Sequence, residues 1–102
     1  MEEIEVLDTN LLIEGKSGLT TVFNLLEYPP AIYHGDFLWP ERIDYERALL
    51  LASKLRLQGT PVGCTDMLIA SMCLVRNFTL ITRDHDFQHI KKIETEFKLK
   101  IV

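Results

Sequence analysis

Two short apolar runs in this sequence end in aspartate: Ile4-Glu5-Val6-Leu7 leads into Asp8-Thr9-Asn10, and Thr79-Leu80-Ile81-Thr82 leads into Arg83-Asp84-His85-Asp86. Both runs read as buried strands, so each aspartate stands at a strand's carboxyl end, where open parallel sheets bind their ligands. Neighbouring strands lie about 4.8 Å apart, close enough for the two carboxylates to share one opening. Holding two like charges together is costly unless a cation sits between them. Hard divalent cations such as Mg2+ or Mn2+ take oxygen ligands, Mg2+ at about 2.1 Å. The chemistry of such a site is metal-assisted attack by water, which the ion activates while polarising the bond to be broken.

Other acids can join this pair. Asp66 stands at the start of a strongly apolar segment, Met67 to about Arg76, with Thr65 or Asp66 as its helix cap, and a helix N-terminus favours an ionised carboxylate. Glu27 falls in the last turn of a helix expected over Leu19–Tyr28, and Asp86 follows Asp84 by two residues. Taken singly, Asp8 and Asp66 suit caps, Asp84-His85-Asp86 suits a solvated turn and Glu27 a helix surface; in combination they suit a cluster. Arg83 can contact a phosphate or balance the charge of Asp84 and Asp86. His85 and His89 are four residues apart, but a zinc site needs a third ligand in place and a hydrophobic shell, and His85 falls in the turn before the helix.

These groups need an α/β framework. Beyond the two strands, helices are expected over Leu19–Tyr28, stopped by Pro29-Pro30, and over about Ile43–Gln58, ended by Gly59. The second carries Tyr45, Ala48, Leu49, Ala52 and Leu55 on one stripe, with Leu50, Leu51 and Leu57 widening its apolar arc enough to leave part for a two-fold contact or a partner helix. Phe37-Leu38-Trp39 reads as a short strand, Phe87, Ile90 and Ile93 or Glu94 as a last helix, and Leu99–Val102 as an edge strand. The expected architecture is one α/β domain over residues 1–102, with a parallel central sheet of about four strands flanked by helices.

Composition limits the alternatives. A chain of 102 residues supports one core, and no apolar run approaches the roughly 20 residues of a membrane span. The acidic start Met1-Glu2-Glu3 is unlike a basic secretory signal, so a cytoplasmic location is expected. Cys64 and Cys73 form no Cys-x-x-Cys pair and read as packing residues. A net charge of −4 argues against coating nucleic acid electrostatically, but not against a nuclease whose acids gather around a cation.

The motifs also resemble a known family. Val6-Leu7-Asp8-Thr9-Asn10-Leu11-Leu12-Ile13 is similar to the opening motif of PIN-domain nucleases, and Thr20-Thr21-Val22-Phe23-Asn24-Leu25-Leu26-Glu27 to the segment with their second acid. Thr65-Asp66-Met67-Leu68-Ile69-Ala70 and Leu80-Ile81-Thr82-Arg83-Asp84-His85-Asp86-Phe87 resemble their closing pair. The resemblance implies a PIN-like fold and a ribonuclease dependent on Mg2+ or Mn2+. Its acid cluster would be Asp8, Glu27, Asp66 and Asp84, with Asp86 as an accessory, and Thr9, Asn10 and Thr82 would orient these groups. By size it implies a VapC-type toxin with a cognate antitoxin and a homodimeric state. The stretch between Glu27 and Ile43 is shorter than the usual pattern; with Lys16, Arg42 and Arg83 it is the expected contact for a structured RNA.

Other readings compete, among them a receiver-like signalling domain, for whose late lysine the sequence has no clear counterpart. An aspartyl phosphotransferase would use Asp8 as nucleophile, but Asn10 stands where it needs a second carboxylate. A non-catalytic interaction module can share the fold, and a housekeeping RNA-processing nuclease can share the site.

Overall fold

Strand runs separated by amphipathic segments fold as expected into parallel strands with helices between them. The computed structural model describes residues 3–102; Met1 and Glu2, the start of the acidic N-terminal run, lie outside the described residues. In chain order the elements are β1 (Glu5–Leu7), α1 (Thr9–Ile13), β2 (Thr20–Thr21), α2 (Val22–Glu27), β3 (Phe37–Leu38), α3 (Arg42–Leu57), α4 (Cys64–Arg76), β4 (Thr79–Thr82), α5 (Gln88–Ile93) and β5 (Lys98–Ile101). Turns of 3-10 helix occupy Pro29–Tyr33 and His85–Phe87.

The central sheet has the order β1-β4-β5, with Leu7 opposite Ile81 and Thr82 opposite Ile101. The expected sheet of about four strands is built differently: β2 and β3 form a separate two-residue parallel pair, linked to β1 by a bridge between Val6 and Leu19. Val6 and Leu80 pack with Ile69, Ala70 and Cys73 of α4, Leu51 and Leu55 of α3, Ile90 of α5, and Phe87 and Phe97. Leu7 points the other way, toward Leu12, Leu25 and Ala31. This alternation is the period-two pattern of a strand buried on both faces.

Several boundaries depart from the sequence expectation. The helix expected over Leu19–Tyr28 begins only at Val22. Thr20 and Thr21 are β-branched and pair with Phe37 and Leu38, and the Thr21 hydroxyl accepts the Asn24 N–H as the helix cap. The helix expected from Met67 starts three residues earlier: Gly63 is its N-cap, its carbonyl accepting the Met67 N–H, so neither Thr65 nor Asp66 caps it. Helix α4 ends at Asn77, whose left-handed backbone (φ 58) turns the chain into β4. Cys73 is a packing residue, its thiol pushed up to about 12 chiefly by burial, whereas Cys64 is exposed and packs nothing.

Helix α3 is also rotated from expectation. Its buried line is Asp44, Leu51 and Leu55; Tyr45 and Leu49, expected on that face, are exposed together with Ile43, Leu50 and Leu57. The reason is electrostatic. Asp44 is fully buried and accepts two hydrogen bonds from the Arg76 guanidinium of α4, at 2.7 and 3.0 Å, while also accepting the Glu41 N–H at 2.7 Å as part of a capping box. Breaking such a pair strands a buried charge. Asp44→Ala is therefore expected to lower stability by about 3 kcal/mol in urea unfolding, and the double change Asp44→Leu/Arg76→Met by much less. Equal losses in the two variants would show that the pairing is not what orients α3.

Candidate active site

The β1–β4 register sets the site. Beyond the Leu7–Ile81 pair, the Asp8 N–H donates to the Ile81 carbonyl (3.0 Å), which brings Asp8 beside Thr82. Asp8 is nearly buried, and its carboxylate collects four donors. Oδ1 accepts from the Thr9 N–H and from Asn24 Nδ2, both at 2.9 Å; Oδ2 accepts from Thr82 Oγ1 at 2.6 Å and from Asn10 Nδ2 at 3.4 Å. A buried carboxylate with this donor set is held in a single orientation.

Around it stand the other acids. Thr82 Oγ1 accepts the Asp84 N–H at 2.9 Å, and Asp84 Oδ1 accepts the Asp86 N–H at 2.9 Å, so Thr82 links Asp8 to the turn after β4. Glu27, the last residue of α2, joins the same opening: its Oε1 accepts from Thr9 Oγ1 at 2.9 Å. Asp66, in the first turn of α4, is half-buried. Burial, followed by the negative charges of Asp8, Asp84, Glu27 and Asp86, raises its pKa from 3.8 to about 6. The charges of the other four carboxylates thus reach Asp66, although burial is the larger cause of its shift. The carboxylates do not yet ring a common point, for among the described residues no three His, Cys, Asp or Glu side chains already stand in position to hold one ion.

The remaining expected residues are also placed. Thr9, Asn10 and Thr82 contact the carboxylates directly, and Asn10 Oδ1 also accepts the Arg83 N–H at 3.3 Å. The Arg83 side chain turns away from Asp84 and Asp86 and forms a two-point ion pair with Glu14, at the end of α1. That pairing lowers the Glu14 pKa and raises that of Arg83. Arg42 pairs with Glu46 on its own helix at 3.4 Å. Two residues of the site were not singled out from sequence, Asn24 and Thr21, both fully buried. The available signal was spacing: Asn24 lies one helical turn before Glu27 and three residues after a cap-type threonine.

Asp8 and Asp84 thus stand at the carboxyl ends of adjacent parallel strands of an α/β fold, with Glu27 tied to them through Thr9. The PIN domain family model matches residues 31–93, more than half of the chain, and the chain belongs to this family. No curated protein sequence matches it. Its fold is similar to solved structures of VapBC. For DNA-bound VapBC from Salmonella typhimurium the TM-score is 0.80, with 16% identity over 98% of each chain. VapBC2 from Rickettsia felis bound to a promoter DNA fragment gives 0.74, with 18% identity over 96% of this chain and 98% of that one. VapBC-5 from Mycobacterium tuberculosis, a member of the VapBC family of toxin-antitoxin systems, gives 0.72, with 20% identity over 99% of this chain and 98% of that one.

The raised pKa of Asp66 has a signed consequence. Between pH 3.8 and about 6 the folded protein retains a proton that the unfolded chain has released, so metal-free stability falls as pH rises through that window and stays at the lower level above it. After allowance for solvent screening of a half-exposed group, Asp66→Asn should raise stability at pH 7 by about 1 kcal/mol and change it little at pH 3.5. Denaturant unfolding in EDTA at both pH values checks this; a variant less stable than the parent at pH 7 would contradict mutual repulsion.

Proposed function

We propose that the chain is a divalent-metal-dependent endoribonuclease, the toxin of a toxin-antitoxin pair, acting through Asp8, Glu27, Asp66 and Asp84 with Asp86 as an accessory. The observation that carries this reading is the hydrogen-bonded chain that gathers Glu27, Asp8, Asp84 and Asp86 through Thr9, Asn24 and Thr82 at the carboxyl ends of β1 and β4. The donor chemistry fits the group: every side chain offered is a carboxylate or hydroxyl oxygen, the ligand type of Mg2+ and Mn2+, and their excess negative charge wants a cation. When bound, such an ion supplies Lewis-acid polarisation of a phosphodiester and a water of lowered pKa. The protein's own residues supply the frame. Asp8 is fixed by four donors, Thr82 holds Asp8 and the Asp84 turn together, and Thr9 holds Glu27 to the α1 side. Arg83 reaches a substrate phosphate by exchanging it for Glu14; both are exposed, and a surface ion pair of this kind is weak enough to exchange. RNA as substrate, and the toxin assignment, follow from the motif resemblance together with the likeness to VapBC structures.

The test uses metal and substrate separately. Mn2+ is expected to raise the melting temperature of the parent but not of Asp84→Asn, because a ligand that binds only the folded state stabilises it. With Mg2+, the parent should cut single-stranded RNA while Asp8→Asn, Asp66→Asn and Asp84→Asn lose activity by 100-fold or more, on the order expected when a metal ligand is removed. EDTA should abolish cutting. Mn2+ binding absent from the parent would favour a silent interaction module, and uniform degradation of cellular RNA in place of a few discrete cuts would favour a housekeeping nuclease.

Exposed apolar surface supports a homodimer and an antitoxin partner. Leu50 and Leu57 are 61% and 89% exposed on α3. A groove of about 460 Å³, lined by Leu26, Ile32, Tyr33 and Trp39 among others, lies beside α2. Apolar patches of this kind mark protein contacts. We propose that the exposed leucines of α3 serve a two-fold contact or an antitoxin helix. Light scattering should report a dimer for the parent and a monomer for Leu50→Lys; a monomeric parent at high concentration contradicts the homodimer.

A further inference from the structure

Asn24 occupies a fully buried position on α2, where an apolar side chain would serve packing. A buried amide is tolerated only when its hydrogen bonds are made. Here they all are, and they run in one direction. Nδ2 donates at 2.9 Å both to Asp8 Oδ1 and to Thr9 Oγ1, while Oδ1 accepts from Thr21 Oγ1 at 2.7 Å. An ionised carboxylate only accepts, so the amide nitrogen must face Asp8. The Thr21 hydroxyl, itself accepting the Asn24 N–H at 3.3 Å, enforces that orientation from behind. Thr9, having accepted from Asn24, passes its own proton donor to Glu27. One amide therefore feeds two acids carried by different elements.

We infer that Asn24 is a positioning residue: its amide, oriented by Thr21, sets the Asp8 and Glu27 carboxylates in the arrangement that receives the divalent cation. The inference rests on the metal-dependent reading above and adds to it a residue that contacts neither ion nor substrate. Groups that hold metal ligands in place change metal affinity by about 10- to 100-fold when removed. A packing role would make no such demand, since leucine has the same branched shape as asparagine and offers no hydrogen bond.

The test titrates Mn2+ calorimetrically into metal-free parent and Asn24→Leu, alongside steady-state cleavage of a single-stranded RNA. The expected result is Mn2+ binding weakened about tenfold or more, kcat lowered to match, and KM for RNA within about twofold of the parent. Thr21→Val should weaken Mn2+ binding in the same direction and Thr21→Ser, which keeps the hydroxyl, should match the parent. If Asn24→Leu does not fold, this threonine pair decides: equal Mn2+ binding by Thr21→Val and Thr21→Ser overturns the inference. A folded Asn24→Leu with parental Mn2+ affinity overturns it alone. A parent that binds no Mn2+ overturns the metal-dependent reading and this inference with it.

Discussion

Everything at the site hangs on the parallel pairing of β1 with β4. With Leu7 opposite Ile81, Asp8 emerges beside Thr82 and the turn that carries Asp84 and Asp86 rises next to it. A slip of β1 by one residue would turn Val6 out of the core and move Asp8 to the wrong face. Burial of Val6 and Leu80, both fully enclosed, therefore protects the geometry of the acids. The same apolar contacts that hold the sheet decide where its charges meet.

Those charges are assembled against their own repulsion. Most of the compensation comes from neutral donors: the Thr9 backbone, Asn10, Asn24 and Thr82 around Asp8, and the Thr9 hydroxyl on Glu27. The Arg83 guanidinium, next in sequence to Asp84, is directed to Glu14 instead. Elsewhere the molecule neutralises buried acids with cations, as with Asp44 and Arg76, or with Glu94, which pairs with both Arg47 and Lys54. The contrast separates carboxylates paired with cations from those held by neutral donors alone, a local cost in stability of the kind functional sites carry.

Much of this was legible from residue types. Asp8 and Asp84 were readable because each closely follows a short strand-like run, and the apolar character of α4 announced a central helix ahead of which an acid must emerge. What the sequence hid was set by tertiary contacts. Strand β2 is two residues long and exists only because Phe37 and Leu38 return to pair with it. The first turn of α4 is capped by Gly63, which offers no side-chain signal. The face of α3 was misassigned because an aspartate, Asp44, takes a core position once Arg76 reaches it. Asn24 carries no charge that would mark it in the sequence, and only the fold shows that its amide donates to Asp8.

The most direct test of the central claim is where a cation sits. Crystals soaked in Mn2+ should show an anomalous peak in the opening bounded by Asp8, Glu27, Asp66 and Asp84, and the peak should vanish in Asp84→Asn. Anomalous density confined to other surface carboxylates, or no peak in the parent at millimolar Mn2+, would contradict the account.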